Sequence, residues 1–423
     1  MFNCDLLCGG CCSLGRIVHH MHRVVSFNMG NDLFAKREES ILVGFLVLVD
    51  MDRRYFKGII AFGVNLLVGG ALVILSDVYH QHMQMKQLFL LHTIAFSLKN
   101  YFFYRGRYTL LVRFIRDYLH PWGLFAGLAI GDALGAPLEG SPQSEAWVTN
   151  MRPGGRYSRK TGQFTDDTLQ ALAVAESLVV CRGFDGSDLV QRLIAGYKKR
   201  PEWYGPTSSA FFDLVARGTL PQRAAWLVHK KNGGSRSNGS VMRGFPLGIF
   251  YPAAQVYEVS ITCSRLTHYD PVAAHCSAWL NGMAADLCRG ASRRQAFLHA
   301  RARCRDPEVL DRLGSYERYS PDPSLDAVLC SHAALSCFMN AKTFENAMLA
   351  AVNLGGDADT VGACCGALAG AYWGLPAIPD RWTRVLEGYD QVIRVAGLLW
   401  DIRADRRRDI PYGSRPDKRL PAV

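Results

Sequence analysis

The chain predicts an all-α fold, a compact multi-helix domain over residues 121–400, and three observations carry that reading. Apolar residues recur at helical spacing, as in Leu169, Leu172, Leu178 and Val179, or Ala327, Cys330, Ala334, Leu335 and Phe338. Strand-like alternation is scarce in this stretch. Glycine and proline gather between the periodic segments, as in Arg152, Pro153, Gly154 and Gly155 or in Leu375 and Pro376, where they mark loops.

With 423 residues and 49% hydrophobic content the chain can bury a sizeable core, which excludes a mostly disordered protein. The formal net charge of +11 suits an acidic partner, whether nucleic acid, an anionic membrane or a pyrophosphate-bearing substrate, and charge alone does not choose among them. Of the 13 cysteines, Cys276, Cys288, Cys330, Cys337, Cys364 and Cys365 sit inside apolar helical patterns and not at disulfide spacing. They read as reduced, buried, small apolar residues of a cytosolic domain. Cys4, Cys8, Cys11 and Cys12 lie near His19, His20 and His22, a loose zinc match. A structural or lipid-modified N-terminus explains them equally well, so no zinc is assigned.

Composition changes near Pro121, from Leu, Phe, Val and His to Ala, Gly, Arg and Pro, which suggests a domain boundary. Residues 1–120 are expected to be a hydrophobic helical N-terminal region. Within it, residues 58–76 carry no charge over a length that crosses a bilayer, making them a transmembrane candidate. Arg53, Arg54 and Lys57 precede this segment and place its N-terminal flank in the cytoplasm. A catalytic part acting on cytosolic substrates then needs a return crossing, for which residues 88–104 are a weak candidate. The other readings are a buried hairpin of helices, or an upstream extension outside the working protein. The first 30 residues hold no clean apolar stretch with a cleavage site, so no cleavable signal peptide is expected. Residues 401–423, with Arg406, Arg407 and Arg408, form a basic tail, most simply a solvated end.

Three acidic motifs carry the chemistry. In the first, Gly123, Gly127, Gly131 and Gly135 fall every fourth residue and form a smooth ridge for close helix approach. Asp132 is embedded in that apolar helix and requires either a metal or a satisfied hydrogen-bond network. Glu139 follows Pro137 at the helix exit, free to face a cleft. In the second, Thr165, Asp166, Asp167 and Thr168 open a helix. Capping accounts for one Thr or Asp at such a place, whereas adjacent carboxylates and hydroxyls suit a hard divalent cation better than zinc. In the third, Asp357, Asp359 and Thr360 open another helix, ridged by Gly362, Gly366 and Gly370. Two such clusters facing each other would hold two metals, although each could also be a cap.

Together and in this order the motifs resemble those of the ADP-ribosylglycohydrolase family, in particular its dinitrogenase-reductase-activating type, over residues 122–400. Ser237, Asn238, Gly239, Ser240, Val241, Met242 and Arg243 resemble the family's Asn-Gly-Ser loop, and Thr267 with His268 resembles its Thr-His segment. Residues 201–209 depart from the glycine-rich, Thr-Thr-like stretch expected on the acceptor side, offering only Gly205, Pro206, Thr207 and Ser208.

The resemblance implies that Thr165, Asp166, Asp167, Asp357, Asp359 and Thr360 bind two divalent cations, Mg2+ or Mn2+, in a binuclear cleft. It implies that Ser237, Asn238, Gly239 and Ser240 hold the ADP-ribose, with His268 in the same cleft or, on the alternative reading, a structural histidine. Asp166 and Asp359 are the expected bases, Glu139 the gating acid near the metals, and Asp132 the structural member. The implied activity is metal-dependent removal of ADP-ribose from modified protein side chains, arginine-linked first. Alternatives are serine-linked ADP-ribose, O-acetyl-ADP-ribose, or binding of ADP-ribose without turnover. The expected partner is the ADP-ribosylated protein and not nucleic acid. The catalytic domain is expected in the cytoplasm, with membrane association through residues 58–76 left open.

Overall fold

The computed structural model describes residues 41–48, 59–66, 108–143 and 147–405. The chain divides into two units, Met1–Leu98 and Lys99–Val423. In the first, β1 (Ile41–Leu48) and β2 (Ile59–Leu66) pair antiparallel, with Ile41 opposite Leu66 and Leu48 opposite Ile59. This hairpin corrects the helical expectation for the N-terminal region, because β2 falls inside the span read as a transmembrane helix candidate. An uncharged apolar run serves a strand as well as a helix. Here β-branched and aromatic residues favour the extended form, and a second run of the same kind supplies the ladder. The rest of residues 58–76, the weak return segment 88–104, the N-terminal cysteines and the arginines of the tail lie outside the described residues. Among the described residues no helix is long and apolar enough to cross a membrane.

The second unit is helical, and its described β pairing is confined to two isolated bridges, Gly154 with Arg159 and Ser237 with Asp326. In chain order its helices are α1 (Tyr108–Gly135), α2 (Asp166–Cys181), α3 (Gly186–Lys199), α4 (Pro206–Ala216), α5 (Pro221–Lys231), α6 (Phe245–Phe250), α7 (Ala253–Arg265), α8 (Pro271–Cys288), α9 (Arg293–Arg303), α10 (Pro307–Gly314), α11 (Ala327–Asn340), α12 (Phe344–Val352), α13 (Ala358–Trp373), α14 (Asp380–Thr383) and α15 (Tyr389–Asp401). The compositional change at Pro121 falls inside α1, which runs on through that proline. Aspartate starts several helices: Asp185, Asp270, Asp306 and Asp326 each accept backbone N–H groups at an N-terminus. The nine described cysteines are free, and Cys276, Cys288, Cys330, Cys337, Cys364 and Cys365 are buried among the helices.

The centre of this unit is the antiparallel pair α1 and α13, packed through their glycine ridges. A Cβ added at Gly123, Gly127, Gly131 or Gly135 would stand 2.3, 2.1, 2.0 and 2.3 Å from the carbonyl oxygens of Gly370, Gly366, Gly362 and Ala358. The two backbones therefore touch, and nothing larger than hydrogen fits between them at these rungs. Every residue of α13 from Ala358 to Ala371 is buried, with α11, α12 and α8 packed around it. Helix α15 packs on α1 and on α2 and so holds the second acidic motif against the first helix.

Gly131→Ala is expected to cost about 3 kcal/mol or more in a denaturant titration, because backbone offers no rotamer through which to relax. Gly282→Ala, inside α8 with nothing within 4 Å of the added carbon, is expected to be neutral or to stabilise by up to about 1 kcal/mol. Equal losses at both positions would show that the ridge contact does not govern stability.

Candidate functional site

Helix α2 begins where α1 tells it to. The buried carboxylate of Asp132, on α1, accepts the backbone N–H of Thr165 at 2.8 and 3.0 Å, the N–H of Thr168 at 3.0 Å and the Thr168 hydroxyl at 2.6 Å. A carboxylate from another helix thus satisfies the first N–H groups of α2, where the helix dipole also favours negative charge. The hydrogen-bond network that the sequence allows for Asp132 is thus present. Thr165 caps the same helix, its hydroxyl accepting from Asp167 N at 3.2 Å and donating to Asp167 Oδ2 at 3.0 Å. Asp166 is held at Oδ2 by the Gln170 amide, 2.9 Å away.

The third motif enters through a glycine turn. Gly355 and Gly356 have φ of +74° and +58°, and a Cβ on Gly356 would lie 2.3 Å from the Pro323 carbonyl. Glycine is required at this turn by both conformation and space. The turn is stitched to the segment after Glu139, with Gly140 N donating to Gly356 O and Gly356 N to Ser141 O, each at 2.7 Å. Asp357 heads α13 yet makes no capping bond to it with its side chain. Its carboxylate instead accepts the Asn238 amide at Oδ2 and the Thr360 hydroxyl at Oδ1, 3.3 Å away. Asp359 Oδ1 accepts Thr360 N at 3.0 Å.

The carboxyls of Asp132, Asp166, Asp167, Asp357 and Asp359 are all buried. Burial raises each of them, and acidic neighbours raise some further: Asp166 is pushed up to about 8 by burial and then by Asp132, while Asp357 reaches about 6 despite the Asn238 bond, whereas for Asp132 burial is opposed by its bonds to Thr168 and Thr165. Asp167 and Asp359 rise well above the usual carboxylate range through burial and through their acidic neighbours. Glu139 is half-buried, also raised by burial, and opposed by the positive charges of Arg159 and Arg156. It contributes to the upward shifts of Asp166, Asp357 and Asp359, so all four share one electrostatic neighbourhood.

Among the described residues no three His, Cys, Asp or Glu groups already converge as a metal cage. The case for a cation rests on donor chemistry. Asp167 Oδ1 is buried with no hydrogen-bond partner, and a buried polar atom without a partner is costly. The surrounding donors are carboxylate and hydroxyl oxygens, which suit a hard divalent ion.

Beside the acids lies the Ser237–Ser240 segment. Asn238 is buried and joins it to α13 through Asp357, and its own N–H donates to Leu325 O at 3.0 Å. The Ser240 hydroxyl accepts from Ser264 at 2.7 Å and faces α7, as a strut would. The Ser237 hydroxyl is buried without a partner. His268 is 1% exposed and lies behind Gly239, where an added Cβ would meet Nε2 at 2.9 Å. Its Nδ1 pairs with the Thr267 hydroxyl at 2.7 Å, and burial followed by the Arg243 charge lowers its pKa to about 3. His268 is therefore neutral and stands against the loop at Gly239, its Nε2 buried without a partner.

Other residues of this neighbourhood carry weaker signals in the sequence. Fully buried Arg243 donates to Gln170 Oε1 at 3.1 Å, Gly239 O at 3.0 Å and the Thr267 hydroxyl at 2.6 Å, tying the Asp166 holder to the loop. Its Met-Arg setting marked the family resemblance without assigning it a task. Tyr204, in the segment that departs from the family pattern, has a buried hydroxyl raised by burial and then by Asp166. Arg159, between Gly155 and Gly162, carries no motif that singles it out in the sequence.

A sequence profile of the ADP-ribosylglycohydrolase family matches residues 122–409. ADP-ribosylarginine hydrolase Tri1 of Pseudomonas putida (strain GB-1) is 29% identical over 308 residues, covering 69% of this chain and 81% of that protein. ADP-ribosyl-(dinitrogen reductase) glycohydrolase of Rhodospirillum rubrum is 30% identical over 281 residues, covering 63% and 89%. A solved structure described as an ADP-ribosylglycohydrolase-related protein complex aligns with a TM-score of 0.59 at 33% identity, covering 68% of this chain and 99% of that one.

The raised carboxyls set a pH dependence. A group whose folded pKa lies above its unfolded value stabilises fully at low pH and loses that contribution as pH rises through the folded value. In the presence of a chelator, stability is therefore expected to fall between pH 7 and pH 9 by roughly 1–3 kcal/mol, led by Asp166. His268 acts the opposite way only below its unfolded value of 6.5, outside this window. Melting temperatures measured across the window test this, and a flat or rising profile would contradict the buried acidic cluster.

Proposed function

The chain belongs to the ADP-ribosylglycohydrolase family, and we propose that it hydrolyses the bond between ADP-ribose and a modified protein side chain, arginine-linked first. The observation that carries this is the pair of acidic helix starts, α2 and α13, brought into one buried neighbourhood beside an Asn-Gly-Ser loop. The arginine preference is supported by the similarity to the hydrolase named for ADP-ribosylarginine. In this reading Thr165, Asp166, Asp167, Asp357, Asp359 and Thr360 hold two divalent cations, Mg2+ or Mn2+. When bound, they supply polarisation of the ribose hydroxyls and of a water, whose pKa falls.

The protein's own groups account for the remainder. Water adds to the anomeric carbon through an oxocarbenium-like state, and the bond to the acceptor breaks with its electron pair passing to the acceptor atom. Asp166 or Asp359 accepts the proton that the water loses. Asp166 suits this because Gln170 occupies only Oδ2 and leaves the other carboxyl oxygen open. A guanidine leaving group takes up a proton, which the carboxyl that accepted it from the water can return, and Glu139, half-buried beyond the exit of α1, is the carboxylate on that side. The Ser237 hydroxyl and Gly239 are the members of the loop available to ADP-ribose, since the Asn238 amide holds Asp357 and the Ser240 hydroxyl is engaged with Ser264.

Release of ADP-ribose from arginine-linked and serine-linked model proteins, with Mg2+, Mn2+ or EDTA, tests the proposal. Arginine-linked release that EDTA abolishes is expected, with the Asp357→Ala, Asp359→Ala double variant down by at least about 10³-fold, the scale of losing metal-assisted electrostatic stabilisation. Tight ADP-ribose binding with no release from either substrate would replace hydrolysis by recognition.

A further inference from the structure

A short hairpin guards the Glu139 side of the cluster. Gly154, Gly155 and Ser158 have φ of +127°, +77° and +49°, and the Gly154 and Arg159 backbones exchange N–H···O bonds of 2.9 Å. A Cβ on Gly155 would lie 2.7 Å from the Ala136 carbonyl, so the hairpin sits directly on the turn that leads into Glu139. Its last residue, Arg159, has a side chain only 2% exposed, with Nη2 3.7 Å from Glu139 Oε2. The guanidinium carbon stands 5.2 Å from the centre of the Tyr157 ring and 4.7 Å from that of Trp203. Yet Nε and Nη1 are buried without any hydrogen-bond partner. Buried Arg243 also has an unpartnered Nε, but both of its terminal nitrogens have acceptors, whereas Arg159 Nη1 has none.

Two aromatic faces and a carboxylate recognise a flat cation by shape and charge. They do not saturate the N–H groups of Arg159 in particular. We propose that Glu139, Tyr157 and Trp203 form the subsite for the acceptor guanidinium, and that Arg159 occupies it as an internal stand-in until an arginine-linked substrate displaces it. This rests on the arginine-acceptor reading above. Exchange of one guanidinium for another leaves the charge beside Glu139 unchanged, so displacement avoids the cost of a bare buried carboxylate. A serine-linked substrate brings no replacement cation and leaves Arg159 in place. The subsite borders the cluster where the anomeric carbon has to lie, since the charge of Glu139 is felt by Asp166, Asp357 and Asp359.

The test is a calorimetric titration of the full-length protein and of Arg159→Ala with Nα-acetyl-arginine amide, with Nα-acetyl-lysine amide as control. Arg159→Ala is expected to bind the arginine compound at least about tenfold more tightly than the parent, because the competitor is gone, and to gain nothing for the lysine compound. Its KM for arginine-linked substrate is expected to fall while that for serine-linked substrate does not. No gain in binding by a variant that still melts cooperatively overturns the subsite. If Arg159→Ala does not fold, the Arg159 side-chain Nε–H resonance of the parent protein decides: it is expected to shift on adding the arginine compound and not the lysine compound, and no shift overturns the proposal. Arginine-linked release by the parent together with no gain in Arg159→Ala removes the subsite alone. Release from serine-linked protein only removes the arginine reading and, with it, the assignment to the acceptor.

Discussion

The contact of backbone on backbone between α1 and α13 is the constraint from which the site follows. Because Gly131 touches Gly362 and Gly135 touches Ala358, the separation of the two helices is set by peptide groups and not by adjustable side chains. Asp132, the residue after Gly131, is thereby fixed on α1, and Asp357 and Asp359 at the start of α13 beside it. Asp132 then dictates where α2 begins by accepting its first N–H groups. One carboxylate thus spends its charge on architecture so that two others, Asp166 and Asp167, arrive opposite the start of α13.

Gathering carboxyls in a dry interior works against folding, since burial raises all of them and repulsion raises Asp166, Asp167 and Asp359 further. The surroundings offset part of this through the Asn238 amide, the Gln170 amide and the hydroxyls of Thr165, Thr168 and Thr360. They leave Asp167 Oδ1 unserved. A site stabilised in every detail would have no remaining use for a ligand, and local rules are commonly broken where function is performed.

The sequence made the helical class legible because the apolar spacing of α2 and α11 and the glycine ridges of α1 and α13 are local properties. It made the acidic clusters legible because adjacent carboxylates exceed what a helix cap requires. It did not decide what satisfied Asp132, since Thr165 and Thr168 lie more than thirty positions away and only the folded chain joins them. The N-terminal hairpin was missed because an uncharged apolar run has no periodicity to separate strand from helix. Arg159 was missed because its significance depends on Trp203, which another part of the chain delivers. The motif left His268 open between a cleft residue and a structural histidine, and its burial behind Gly239 is a property of three-dimensional packing alone.

The two bonds that join Gly140 and Ser141 to Gly356 make one mechanical piece of the segment after Glu139 and the turn before Asp357. A motion that swings Glu139 outward has to strain the threshold of α13 or break those bonds. Entry and exit of a bulky protein-linked substrate are therefore geared to the grip on whatever Asp357 holds. On the proposed two-cation reading, opening the Glu139 side would loosen the residue that grips a cation, so admission of substrate and retention of the ions would compete.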